Sequence, residues 1–264
     1  MEIYDIGAKA EVFKKIYGAD FNSAVSTNCE MANLWVRKNM SPPDIAKNYF
    51  LGGKKSFNRL NEILIGLDFP LSEVKSYCDF ACGFGRTTRF FIQQIPIENV
   101  TVADISADAV AFQKEQFGVK GFVSSKLSSD LSGDGHRDFD LMTVNSLFSH
   151  FNHDYWTKWL EALLDLMRPG GIILFSTHGA KAFNKRNDGQ KKKMMAESPE
   201  TGFYFWARNE TLGRLEENYY GTSYVMPDWV EAQVKKIGKG EIVAAHNPLL
   251  GFMGGQDVYA VKKS

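Results

Sequence analysis

The chain has 264 residues, 44% of them hydrophobic, and its 31 lysines and arginines balance 31 aspartates and glutamates. This is the makeup of an ordinary globular protein, and zero formal charge gives no bulk attraction to nucleic acid or an anionic membrane. No run of 18 apolar residues predicts a membrane span. The opening MEIYDIGAKAEVFKK lacks an apolar signal core, and Cys29, Cys78 and Cys82 are an odd, sparse set. Together they predict a cytoplasmic protein with free thiols.

In chain order, residues 1–70 read as a helical N-terminal extension. "MSPPDIAKNYFLGG" predicts a turn, a short helix and a break. "SFNRLNEILIGLDFP" then sets Phe57, Leu60, Leu64 and Leu67 on one helical face and closes at Pro70. From residue 75 strands and helices alternate. Strands are predicted at about 75–80, 99–106, 121–125, 139–146 and 172–179. Helices are predicted at about 86–96, 107–118 (closed by Gly118) and 154–171. The last of these carries Trp156, Leu160, Leu163 and Met167 on one face and stops at Pro169-Gly170. Residues 180–225 break the rhythm, as a functional or mobile insertion does. A helix over 227–238 and two final strands, "GEIVAAHN" and "QDVYAVKK", complete the chain. The alternation predicts an α/β protein with a parallel sheet between helices.

The first strand runs into "CDFACGFGRTTRFF", a glycine turn that opens a helix. A dinucleotide fingerprint needs a third glycine or alanine at Thr88. Asp79 at the strand end would repel a pyrophosphate and attract a cation. At 4 Å unit charges interact by roughly 4 kcal/mol at an effective dielectric of 20. The sign favours S-adenosylmethionine, which carries an ammonium and a sulfonium but no phosphate. Asp104 ends the second strand, 21 residues after Gly83. An acid about 20 residues on is placed for ribose hydroxyls, and Ile105 offers an apolar edge beside it.

"DFACGFGR", "VADIS", "FDLMTVNSLFSHF" and "LMRPGGIILFSTHG" resemble the successive motifs of class I S-adenosylmethionine-dependent methyltransferases over about residues 75–179. The tail is similar to small-molecule members that accompany glycosyltransferases. The resemblance implies a Rossmann-like, doubly wound, seven-stranded sheet with its last strand antiparallel, in a domain spanning 71–264. Residues 1–70 would form a cap and 180–225 a lid after strand five. It implies that Asp79, Ala81, Gly83 and Gly85 line the methionine half of the donor. Asp104 and Ile105 would meet ribose and adenine, Ser125 and Lys126 adenine, and Asn145 the methionine portion. The product would be S-adenosylhomocysteine. Ala81 departs from the glycine common in the family.

Ligands of open α/β sheets bind beyond the carboxyl ends of the strands. A hydroxyl acceptor benefits from a base, and histidine suits that role near neutral pH. His178, ending strand five, is the first candidate, His150 in "NSLFSHF" the second and His246 the third. No metal is expected. The insertion holds six basic residues against one acid in 180–193, and seven aromatics in 202–208 and 217–224. As a lid it would suit an anionic or saccharide acceptor. "NSLF" lacks the prolines of enzymes that methylate exocyclic base nitrogens, and no nucleic-acid partner is expected. RNA or protein methylation and a non-catalytic binding module are the alternatives.

Overall fold

Four consecutive buried residues, Tyr77–Phe80, form β1. A strand covered on both faces reads as such a continuous run. The structure, a computed structural model, describes residues 1–131, 135–207, 220–246 and 255–264. The chain divides into two compact units, Met1–Ser124 and Ser125–Ser264.

In the first unit β1 pairs in parallel with β2 (Val100–Asp104), and β2 with β3 (Lys120–Val123). Ahead of them lie α1 (Lys9–Tyr17), α2 (Glu30–Val36) and α3 (Pro42–Gly66). Between the strands lie α4 (Thr88–Phe91) and α5 (Ala107–Phe117). The Ser106 hydroxyl caps the start of α5, and Gly118 closes it at φ 71°. Aromatic edges fill the core. Phe13 and Phe21 meet Phe50 at 4.8 and 5.0 Å between ring centroids, and Phe57 meets Phe91 at 4.9 Å. Such pairs add about 0.5–1.5 kcal/mol to the burial of each ring.

Two predicted elements differ here. α3 is one helix of 25 residues with no break at Gly52-Gly53. The two glycines lie against the next segment. A Cβ at Gly52 would overlap the Arg86 guanidinium, and one at Gly53 the Arg86 carbonyl oxygen. The helix predicted over 86–96 is cut to Thr88–Phe91, because tight turns from Gln94 and Ile95 to the Phe91 carbonyl lead into Pro96.

In the second unit β4 (Phe139–Val144) pairs in parallel with β5 (Met167–His178). α6 (His153–Leu164) comes between them, capped by the Asn152 side chain. The predicted helix ran to 171, but Met167 pairs with Phe139 in the sheet. Pro169 forbids helix there, and Gly170, at φ 78°, takes the bend. The 180–225 stretch holds α7 (Ala180–Asn184), α8 (Asp188–Glu197), β6 (Phe203–Trp206) and β7 (Thr222–Val225). β6 and β7 are antiparallel, and β7 joins β5 in parallel at His178 and Tyr224. α9 (Pro227–Ile237) leads to β8 (Gly240–His246) and β9 (Gln256–Lys263), which pair antiparallel. β9 also runs antiparallel to β5, as expected of the last strand. The described residues thus contain nine strands where seven were expected, β6 and β7 both lying in the insertion. Trp156, fully buried, meets Phe148 and Trp229 at 5.0 Å each and Phe175 at 5.6 Å.

Gly53→Ala sets two effects against each other. Alanine raises helix propensity by about 1 kcal/mol. Overpacking costs about 1–3 kcal/mol, and a backbone carbonyl yields less than a side chain. The clash should win, with a net loss of about 1–2 kcal/mol in urea unfolding. A gain in stability would show that α3 does not lie against Arg86.

Candidate functional site

Asp79 sits opposite Val102 and Phe80 opposite Ala103, so β1 and β2 end level with each other. The Cys82 amide donates to the Ala103 carbonyl at 3.1 Å and draws the glycine turn over that edge. The Gly83 amide then donates to Asp104 Oδ2 at 2.8 Å, and the Ser106 amide to Asp104 Oδ1 at 2.9 Å. Burial raises the Asp104 carboxyl above its ordinary range, and the two amides oppose the rise. A carboxylate accepts about four hydrogen bonds. Two amides therefore leave capacity for the paired hydroxyls of a ribose. A Cβ on Gly83, at φ 52°, would meet no protein atom within 4 Å, so the turn leaves room for a ligand beside it. Gly85 differs. At φ 74° it makes room for the Phe117 ring, which a Cβ would overlap. Ala81 holds φ 57°, the left-handed conformation a glycine would take. Alanine keeps the turn at a cost of about 1–2 kcal/mol.

Asp79 is buried and accepts the Thr88 hydroxyl at 2.5 Å. The residue that spoils the dinucleotide fingerprint thus anchors the strand-end acid. Burial also pushes the thiols of Cys78 and Cys82 well up, so both stay protonated. Ile105 is exposed beside Asp104.

Two residues that sequence reasoning passed over hold the turn from behind. Gln113 Nε2 on α5 donates to the Gly83 carbonyl at 2.8 Å. Arg89, 1% exposed, donates to the carbonyls of Gly85 at 2.8 Å and Phe84 at 3.3 Å. It also donates to Asn22 at 2.8 Å and Ala24 at 3.1 Å. One guanidinium ties the glycine turn to the N-terminal segment. No local pattern marks Arg89, because its N-terminal partners lie 67 and 65 residues away in sequence.

In the second unit Asn145 and Ser146 follow β4. The Ser146 amide donates to Ser176 Oγ at 2.8 Å, Ser176 donates to Gln256 Oε1 at 2.7 Å, and Gln256 Nε2 donates to Ser146 Oγ at 2.7 Å. This ring of bonds pins the turn while Ser146 holds φ 63°. Asn145 Oδ1 is buried with no hydrogen-bond partner among the described residues. His178 ends β5 and stacks on Tyr224 at 5.5 Å. His150 stacks on Tyr220 at 4.9 Å, and its Nδ1 lies 2.8 Å from the Gly221 carbonyl. A carbonyl can only accept, so Nδ1 carries a proton. The two histidines are held by different rings. His246 closes β8. The Ser125 hydroxyl turns back to the Leu127 carbonyl at 2.5 Å, and Lys126 is exposed.

The insertion's aromatics largely pack on one another. Phe183, Tyr204 and Tyr224 are buried with Met194, and Phe183 stacks on Tyr204 at 4.5 Å. Tyr219 lies outside the described residues. Its cations are partly engaged too, Lys191 with Asp188 at 2.9 Å and Arg186 over the Tyr224 ring at 5.5 Å.

Residues 78–173, from β1 into β5, match the family model described as "Methyltransferase domain". Over that stretch the chain is similar to methyltransferases. The Gly83–Asp104 geometry suits a nucleoside. The chain is 25% identical over 123 residues to a malonyl-[acyl-carrier protein] O-methyltransferase of Ilyobacter polytropus, covering 45% of each chain. It is 23% identical over 201 residues to a tRNA N(3)-methylcytidine methyltransferase of Schizosaccharomyces pombe, covering 68% of this chain and 65% of that one. The matches thus span less than two thirds of those relatives' lengths. A Burkholderia thailandensis 1,6-didemethyltoxoflavin-N1-methyltransferase, solved with its acceptor and S-adenosylhomocysteine, aligns over the whole of both chains. Its TM-score is 0.56 at 14% identity, a likeness of fold. Among the described residues no helix is long and apolar enough to cross a membrane.

Asp257 opens a pH test within the second unit. It opposes Thr177 across β5 and β9, is 3% exposed, and its Oδ1 has no hydrogen-bond partner among the described residues. A Cβ on Gly179 would overlap its carboxyl group. Burial lifts its pKa from 3.8 to about 6. With the folded value above the unfolded one, the native state binds the proton more tightly, so this group's contribution to stability is lost as pH rises through 4 to 6. Asp257→Asn should therefore be more stable than the parent above pH 7, and the difference should vanish near pH 4. Urea midpoints at the two pH values check it; an equal difference at both would rule out titration of this group.

Proposed function

We propose that this chain moves the methyl group of S-adenosylmethionine to a hydroxyl of a small molecule, a saccharide or related metabolite. The observation that carries the donor half is the Gly83–Asp104 bond, with acceptor capacity left on Asp104 and room beside Gly83. Family resemblance gives Asp79, Ala81 and Gly85 to the donor's methionine half, Ile105 to its base, and Ser125 and Lys126 to adenine. Asn145 Oδ1 would accept from the donor's ammonium, which its buried, unpartnered state supports.

The cofactor supplies an electrophilic methyl on a positively charged sulfur. The protein's task is to align the acceptor oxygen with that methyl and receive the acceptor's proton. His178, at the carboxyl end of β5, is proposed as the base. His150, with its proton directed at the Gly221 carbonyl, is proposed to shape the site. Residues 1–70 are proposed as a cap and 180–225 as a lid over the acceptor. Supporting a small acceptor are the zero formal charge and the sequence "NSLF" after β4. The tRNA-modifying relative makes RNA the second reading.

Thermal unfolding with S-adenosylmethionine, S-adenosylhomocysteine and NADPH in separate wells tests the donor half. Ligand at about 100 times its dissociation constant stabilises by roughly 2.7 kcal/mol, a rise of about 5–10 °C for a chain of this size. Both adenosyl ligands should give it and NADPH should not; a shift with NADPH alone would overturn the reading. Asp104→Ala should weaken donor binding by about 1.5–3 kcal/mol in calorimetry, and an unchanged affinity would remove Asp104 from the site.

His178→Ala should slow turnover about 10²–10⁴-fold with donor affinity kept. This is measured with labelled donor against a panel of saccharides, with bulk tRNA as a further arm. Full activity would remove His178 as base, and label in tRNA alone would replace the small-molecule reading.

A further inference from the structure

Glu200 lies in the turn between α8 and β6, inside the 180–225 stretch. Its Oε1 is where two other elements of the second unit meet. His153, which begins α6, brings its Nε2 to 2.6 Å, and the Trp229 indole of α9 donates to the same oxygen. The rings pack around this contact. His153 stands edge-on to Phe203 at 5.3 Å and to Trp229 at 5.6 Å, and Phe203 meets Trp229 at 4.8 Å. Elsewhere the stretch is tied by backbone. The Gly221 and Ser223 amides donate to the His150 and Ser149 carbonyls at 2.8 Å each, and the Gly202 carbonyl takes the Met226 amide at 2.7 Å. At Glu200 the tie to α6 is made by side chains, and one of them can titrate.

The second ring nitrogen of His153, Nδ1, lies 3.3 Å from Asp154 Oδ1. Both nitrogens thus face carboxylate oxygens, which only accept. A neutral imidazole has one N–H and sets a lone pair against one of the two carboxylates. Imidazolium donates to both. The charged groups around the ring are Asp154 on α6 and Glu200 before β6, and Lys236 on α9 acts on Glu200 in turn. Phe203 and Trp229 are neutral. The hydrogen bonds from His153 and Trp229 hold the Glu200 carboxyl below its ordinary range. A carboxyl lowered in the folded state gives a contribution that is lost only as pH falls through that lowered value. Glu200 therefore limits the cluster on the acid side, and loss of the second His153 proton limits it on the alkaline side.

We propose that His153 is a pH-responsive latch, which clasps the 180–225 stretch to α6 while doubly protonated and loosens it when neutral. For the acceptor this rests on the reading of that stretch as a lid, and it makes access to the acceptor respond to pH. The ion pair is partly exposed, with side-chain exposures of 29% for His153 and 45% for Glu200. Its weight is that of a surface pair, a bias on local opening and not a condition for folding.

Amide hydrogen exchange on the full chain tests this at pH 5.5 and 8.0, each rate divided by that of an unfolded chain at the same pH. The chains are the parent, His153→Gln and Asp154→Asn. In the parent, protection over residues 188–203 should fall about two- to fivefold from pH 5.5 to 8.0. In His153→Gln it should not change with pH. In Asp154→Asn the change should shrink, because an amide can donate to a neutral ring nitrogen. Asp257 is present in all three chains, so its titration shifts them alike. The Trp229 indole N–H resonance, assigned with Trp229→Phe, should move over the same pH interval in the parent and stay in place in His153→Gln. Protection in the parent that ignores pH overturns the proposal. So does an equal pH dependence in parent and His153→Gln. Should His153→Gln not fold, the comparison with Asp154→Asn decides, and an undiminished pH dependence there overturns the latch. Calorimetry of the parent with S-adenosylhomocysteine judges the methyltransferase reading separately. Absence of binding would refute that reading, while the exchange result still decides the latch.

Discussion

A cation buried behind the glycine turn is the constraint on which the first unit depends. Arg89 cannot shed its charge, and taking it out of water costs several kcal/mol unless its donors are met. They are met by backbone carbonyls, two from the turn and two from residues 22 and 24. Each bond removes a degree of freedom from a segment with no regular structure of its own. The turn therefore cannot relax without exposing an orphaned guanidinium, and the N-terminal segment cannot leave without the same penalty. Around this cation the rings of Phe21, Tyr49, Phe50 and Phe117 present their faces. The aromatic core and the ligand loop are thus two sides of one charged group.

The second unit solves the same problem with neutral groups. Ser146, Ser176 and Gln256 close a ring of hydrogen bonds at the strand ends, and Ser146 is held in a left-handed conformation by it. Rings of this kind are worth more whole than in parts. They leave the neighbouring Asn145 Oδ1 and Asp257 Oδ1 buried without partners among the described residues. Buried polar atoms are usually paired, and the exceptions gather where a ligand or a proton completes them.

The relatives divide along the same line. Their names speak of an acyl-carrier substrate, a tRNA base and a toxoflavin precursor. What the toxoflavin enzyme shares with this chain is the fold. In this chain the 180–225 stretch has its own small core of Phe183, Met194, Tyr204 and Tyr224, and its own strand pair. An insertion that packs itself can change its outer face without disturbing the frame.

The sequence by itself determined the frame. Strand and helix alternate with periods of two and near four, and Gly118 and Gly238 stop their helices because only a left-handed residue can. Glycine spacing and strand-end acids are likewise local, so Asp79, Gly83 and Asp104 stand out from their places along the chain alone. Tertiary structure decided what local rules leave open. The Gly52-Gly53 pair looks like a helix break in sequence but is helical, since its meaning lies in the approach of Arg86. Met167 looks helical but pairs with Phe139, because sheet hydrogen bonds outweigh a three-residue extension of periodicity. The insertion's strands were unreadable because each is four residues long and is fixed by pairing, β6 with β7 and β7 with β5. Arg89 gave no sign of its role, because a buried charge is explained only by the carbonyls that reach it, 65 and 67 residues away in sequence.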